Sequence, residues 1–184
     1  RRKILASRFS EVKVILNFPI LIFNLFIRYN FYGYIRSLVS SFYSARKKLF
    51  QGYHKMVKNI LVTGAASGIG AEICKKLAGA QTNFLVHTRS NQQGLDKIVR
   101  HIEGVGGRAE QKFSDLSIKG EGRKLIKEAV QHFDGLDVII ANAGYANKTS
   151  IIDMTDAEFE EAHNTIARSF FELTTAAIPF LKQS

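Results

Sequence analysis

The chain has 184 residues, the length of one ordinary domain, and 46% of them are apolar, so a packed core can form and wholesale disorder is not expected. The single cysteine, Cys74, excludes an internal disulfide framework, and His54, His87, His101, His132 and His163 fall at no metal-ligand spacing. The formal charge of +10 lies in the first third: residues 1–58 hold 12 basic side chains against one acid, Glu11, and residues 59–184 hold 14 against 15. The basic character belongs to an N-terminal segment and gives the rest of the chain no argument for binding nucleic acid.

Residues 14–35 carry one charge, Arg28. As a helix they would be about 33 Å long, near the thickness of a bilayer core. Asn17, Pro19, Asn24, Gly33 and Arg28 itself weigh against a clean span, and the uncharged run covers only residues 14–27. Phe18, Phe23, Phe26, Tyr29, Phe31, Tyr32 and Tyr34, with Arg46, Lys47 and Lys48 beyond them, suit a membrane-interfacial arm with a basic flank. No small-x-small cleavage site follows, which disfavours a signal peptide. The first methionine is Met56, directly before a strand-like run. A second reading therefore starts the protein at Met56 and treats residues 1–55 as an artefact of gene modelling; a third makes them an accessory helical arm. The expected organisation is an extension over 1–55 and a domain over 56–184.

In that domain, strand and helix signals alternate. Residues 59–63 form a short apolar, β-branched run that ends at Gly64. Ile69, Ile73 and Leu77 repeat every four residues, a helix over 69–77. A second strand is expected over 83–88, centred on Phe84, Leu85 and Val86. An amphipathic helix over 94–102 carries Leu95, Ile98, Val99 and Ile102 and closes at Gly104, Gly106 and Gly107. A weak third strand over 108–113 precedes a helix over 119–133 with Leu125, Ile126, Ala129, Val130 and Phe133 on its buried stripe. Residues 136–141 form a nearly continuous apolar strand, as strands buried on both faces do. Thr155 with Glu158 reads as a capping box opening one long helix over 155–184. This order implies an α/β fold, a doubly wound parallel sheet of Rossmann type, with ligands bound beyond the carboxyl ends of the strands. No strand follows the long helix, and the chain is read as a fragment at its C-terminus.

Four motifs lie at those strand ends. Thr63-Gly64-Ala65-Ala66-Ser67-Gly68-Ile69-Gly70 joins a strand to a helix. Gly64 lets the chain turn off the strand, Gly68 lets a diphosphate approach the helix N-terminus, and Gly70 lets the helix pack against the sheet. Ser67 and Ile69 complete the cradle. No Gly-Lys-Ser/Thr follows, which excludes a P-loop. The second motif, His87-Thr88-Arg89-Ser90, stands where an adenosine ribose would be read, and it holds a cation and no carboxylate. An Arg89 contact to a 2′-phosphate is worth roughly 1.5–3 kcal/mol, so NADP is expected over NAD. The alternative is a solvated surface charge. The third is Asp115-Leu116, with Asp115 either accepting from an adenine amino group or capping a turn. The fourth, Asn142-Ala143-Gly144, is small enough to pass close to a bound cofactor.

Taken together, these motifs resemble the short-chain dehydrogenase/reductase family over residues 59–184. Residues 63–70 match its Thr-Gly-x-x-x-Gly-x-Gly motif in full, residues 136–144 look like its Asp-x-x-Val-x-Asn-Ala-Gly strand, and Asp115 falls at its adenine-contacting aspartate. The resemblance implies an NADP-dependent oxidoreductase moving hydride between a nicotinamide and a small-molecule carbonyl or alcohol. It also implies a serine and a Tyr-x-x-x-Lys pair beyond the long helix, where this sequence has already ended, so the chain alone is expected to be inactive. The one such pair, Tyr43 and Lys47, precedes the nucleotide motif and is read as coincidence. The family's relay asparagine, counted back from Leu173-Thr174-x-Ala176-x-x-Pro179, falls on Ile166. Asn164 lies two residues earlier, about 200° around an ideal helix. Either the helix is irregular there or the relay is absent. The resemblance further implies a homo-oligomer through the 155–183 helix. The expected location is cytoplasmic, with membrane association only through residues 1–55. A non-catalytic dinucleotide-binding module and a membrane-anchored protein whose arm does the work are the alternatives. The Asn147-Lys148-Thr149 sequon is read as idle.

Overall fold

The computed structural model describes residues 15–17, 57–145 and 149–181. The proposed interfacial arm, apart from residues 15–17, the Tyr43/Lys47 pair, most of the sequon and the last three residues lie outside them. Among the described residues no helix is long and apolar enough to cross a membrane.

The elements run β1 (Ile15–Asn17), β2 (Lys58–Thr63), α1 (Gly68–Leu77), β3 (Thr82–Thr88), α2 (Gln92–Gly104), β4 (Arg108–Phe113), α3 (Glu121–Phe133), β5 (Val138–Ala141), α4 (Asp156–His163), a π-helical turn (Asn164–Arg168) and α5 (Ser169–Leu181). The strands form one sheet in the order β1-β5-β2-β3-β4, and every pairing is parallel. After β4 the chain crosses back over β2 to lay β5 on its other side. The switch point between β2 and β5 is where such sheets bind ligands.

The two-residue period of the strands divides the core. Ile60 and Val62, Phe84 and Val86, and Val138 and Ile140 face α1 and α2. Leu61, Leu85, Ile139 and Ala141 face α3 and α5. The central strands are thus apolar on both faces, the doubly wound arrangement the alternation implied. The ends of the helices follow local chemistry. The Asn91 side chain accepts from the Gly94 amide at 3.0 Å and caps α2, which therefore starts at Gln92, two residues before the expected start at Gly94. Left-handed Gly120 and Asp134 bracket α3. The expected Thr155/Glu158 capping box opens α4.

Two departures stand out. Residues 15–17 fall in a stretch read as helical, yet they pair as a strand with Ile139, Ile140 and Ala141 of β5. A short apolar run carries no period that separates helix from strand, and a free sheet edge recruits it. The long helix is not uniform: a five-residue π turn separates α4 from α5. The α5 segment is held to the start of α3 by Glu172. Its nearly buried carboxylate accepts from the Gly120 amide at 2.9 and 3.0 Å and from Arg123 at 2.9 Å. Gly122 permits that approach, since a Cβ there would stand 2.9 Å from the Glu172 Cβ.

Candidate functional site

Four loops meet at the carboxyl edge of the sheet. The first leaves β2 through Gly64, at φ +65°, and enters α1 through Gly68, at φ +55°. The Ala65 amide donates to the His87 carbonyl at 2.8 Å, which joins this loop to the end of β3. Ser67 is the extended N-cap residue of α1, but its side chain makes no capping bond, and no acidic residue stands in the first turn. The amides at the start of α1 thus lack a side-chain acceptor, and the positive end of the helix dipole is not offset. A Cβ on Gly68 would meet no protein atom within 4 Å. The cradle is open at the position where an anion would approach.

Asn142 latches the second loop to the first. Its Nδ2 donates to the carbonyls of Thr63 and Gly64, both at 3.1 Å. The fully buried Thr63 hydroxyl accepts from the Asn142 and Ala143 amides at 3.0 and 2.9 Å. Gly70 closes the joint, since a Cβ there would lie 2.2 Å from the Gly64 carbonyl oxygen and 2.6 Å from Asn142 Nδ2. Ile69 packs against the core on the α1 side, and Gly144 is exposed at the mouth of the site. Thus Gly64, Ser67, Gly68, Ile69, Gly70, Asn142, Ala143 and Gly144 lie together around the β2/β5 switch point.

The third and fourth loops supply charge. Arg89 Nη1 lies 2.8 Å from Glu161 Oε1 of α4, and its Nε 3.5 Å from Asp115 Oδ2. The hydrogen bond it donates to Glu161, and then the charge of Asp115, hold the guanidinium above its ordinary pKa. Asp115 Oδ1 accepts from the Ser117 amide at 2.9 Å, the turn cap that was one of its two readings. Burial pushes the Asp115 carboxyl up, but hydrogen bonds from Ser117, and then the charges of Arg89 and His87, outweigh it and hold the group below the usual range. Leu116 is buried in the core on the α3 side, so only its backbone faces the loops.

Sequence reasoning missed three participants. Gly94 lets α2 touch the glycine loop, since a Cβ there would sit 2.2 Å from the Ala66 carbonyl oxygen. Glu161 is 72 residues from Arg89, and no local pattern joins them. His87 reads as a strand-end residue, yet it is buried, with Nε2 at 3.0 Å from the Ser114 carbonyl and 3.2 Å from its hydroxyl. Its Nδ1 is buried without a partner among the described residues. The Ser114 carbonyl assigns the proton to Nε2.

Burial drives the His87 imidazole down to about 4 from 6.5, against the Ser114 carbonyl, Asp115 and Glu121. The unfolded chain therefore takes up this proton first as pH falls, and stability is lost between about pH 6.5 and pH 4. The expected loss at pH 4.5 is ~2–3 kcal/mol relative to pH 7. Asp115 adds to it only below the ordinary carboxylate range. Urea denaturation at the two pH values checks this: His87→Leu is expected to flatten the profile across that window, and an unchanged slope contradicts the assignment.

On the long helix, the π turn begins at Asn164, whose Oδ1 is buried without a partner among the described residues. Of the two alternatives for the relay position, an irregular helix or no relay, the helix is irregular. The extra residue in a π turn shifts the phase of all that precedes it, so a count along an ideal helix from Pro179 does not hold across the turn.

A sequence profile of the short chain dehydrogenase family matches residues 58–184. The chain belongs to this family, whose members with similar sequences are oxidoreductases. It is 30% identical over 125 residues to the 3-oxoacyl-[acyl-carrier-protein] reductase FabG of Staphylococcus aureus, covering 68% of this chain and 51% of that protein. A short chain dehydrogenase from Burkholderia cenocepacia, solved in complex with NADP, superposes with a TM-score of 0.65 at 28% identity, over 68% of this chain and 51% of that one. An NADH-dependent reductase complexed with NAD superposes with a TM-score of 0.58 at 26% identity, over 68% and 52%. The chain spans about half the length of the curated relatives it matches.

Proposed function

We propose that residues 56–184 are the dinucleotide-binding part of an NADP-preferring oxidoreductase that moves hydride between nicotinamide and a small-molecule carbonyl or alcohol. The observation that carries this reading is the open glycine cradle: two left-handed glycines, an uncapped helix start with no acid in its first turn, and free space at Gly68. A dinucleotide diphosphate has the charge and size that such a helix end accepts. When bound, the nicotinamide supplies the hydride chemistry. This chain's residues bind and orient it. The α1 amides hold the diphosphate, Asn142 and Thr63 fix the two loops that flank it, and Asp115 and Arg89 read the adenosine half. The preference for NADP rests on Arg89 and on the lack of a carboxylate in residues 88–90.

Calorimetric titration of the chain with NADP and NAD tests the reading. NADP is expected to bind more tightly, and Arg89→Ala to lower NADP affinity about tenfold while NAD affinity stays within about twofold. Equal affinities that Arg89→Ala leaves unchanged would remove the 2′-phosphate from the account. A carbonyl-dependent oxidation of NADPH by this chain alone would contradict the expectation that the proton-transfer residues lie outside it.

A further inference from the structure

We propose that Glu161 is a specificity-determining residue of this site: its carboxylate is a resident counter-ion on Arg89 that competes with a 2′-phosphate, so it narrows the preference for NADP over dinucleotides bearing a 2′-hydroxyl. The inference rests on the dinucleotide reading above and deepens it. Glu161 Oε1 lies 2.8 Å from Arg89 Nη1, and Asp115 Oδ2 lies 3.5 Å from Arg89 Nε. One guanidinium is thus shared by two carboxylates, and the trio carries a net negative charge. A phosphomonoester brings about −1.5 to −2 more at neutral pH. Glu161 occupies Nη1, one of the two terminal nitrogens of the guanidinium, so a phosphate that binds there competes with it for a donor and meets like charge until that carboxylate swings away. A 2′-hydroxyl has no such conflict, because it can donate to either carboxylate. Discrimination of this kind comes from repulsion of one ligand rather than attraction of the other.

The geometry allows the displacement. The Arg89 side chain is 55% exposed and that of Glu161 34%, so the pair is screened and gives way at small cost. The α4 helix that carries Glu161 has no fully buried residue, and the π turn follows directly at Asn164. Glu161 acts through Arg89, so it is a positioning residue, and the readout must separate the two dinucleotides.

The experiment titrates NADP and NAD into the full chain, Glu161→Gln, Arg89→Ala and the double variant. Glu161→Gln is expected to raise NADP affinity about three- to fivefold, to move NAD affinity less than about twofold, and to have no effect on NADP in the Arg89→Ala background. Parallel changes for both dinucleotides, no change for either, or an effect that persists without Arg89 would overturn the role of Glu161 and leave dinucleotide binding standing. Failure of every protein to bind either dinucleotide would overturn the site reading, and this inference with it. Melting temperatures of the unliganded variants within a few degrees of the parent confirm that the comparison is between folded proteins.

Discussion

Gly70→Ala is expected to lower the melting temperature of the domain by roughly 10 °C, the equivalent of ~3 kcal/mol. Propensity alone predicts the opposite sign, since alanine is better than glycine inside a helix by about 0.5–1 kcal/mol. The steric term decides. The new methyl would lie 2.2 Å from the Gly64 carbonyl oxygen and 2.6 Å from Asn142 Nδ2. Neither atom is free to retreat, because each is the other's hydrogen-bond partner at 3.1 Å. Relief requires α1 to move off the sheet or the latch to Asn142 to break, and the latter leaves a part-buried amide and carbonyl unpaired. Gly79→Ala is the matched control: a Cβ there meets nothing within 4 Å and the residue has no positive φ. It should change stability by less than about 0.5 kcal/mol. Thermal denaturation of both variants checks the pair, and equal melting temperatures would show that the α1 contact is not tight.

Gly68→Ala is expected to do the reverse, leaving the fold nearly intact and removing ligand binding. No protein atom lies within 4 Å of the added methyl, so the structural cost is the left-handed backbone alone, about 1–2 kcal/mol. The methyl would stand in the open space before the first amides of α1, where a diphosphate must come to reach them. Dinucleotide affinity should fall at least about tenfold, since several charge-assisted bonds lengthen at once. Titration with NADP, read beside the melting curve, separates the two effects. A variant that melts within a few degrees of the parent and binds as well as it does would place the ligand elsewhere.

Much of this arrangement was legible from residue order. The strands showed because burial on both faces makes them continuous apolar runs, and the glycine motif showed because each glycine meets a distinct steric demand at fixed spacing. The elements misjudged are those decided by contacts remote in sequence. The start of α2 escaped because its cap, Asn91, precedes a polar first turn, so the helix was read from Gly94, the residue that lets α2 reach Ala66. Strand β1 escaped because three residues carry no period, and their partner lies more than 120 positions away. Arg89 was recognised as a cation just after β3. Its counter-ions were not, because Glu161 comes from a helix whose placement only the tertiary fold fixes. The π turn at Asn164 has no marker that a count along an ideal helix would detect.

The most direct test follows backbone amide resonances of the isotope-labelled chain during titration with NADP. If the helix start holds the diphosphate, the amides of Ser67, Gly68, Ile69 and Gly70 should shift together and saturate, with Asn142 and Ala143 moving alongside them through the latch. Saturable shifts confined to other parts of the molecule, or none at ligand concentrations that saturate binding, would contradict a dinucleotide site at this turn.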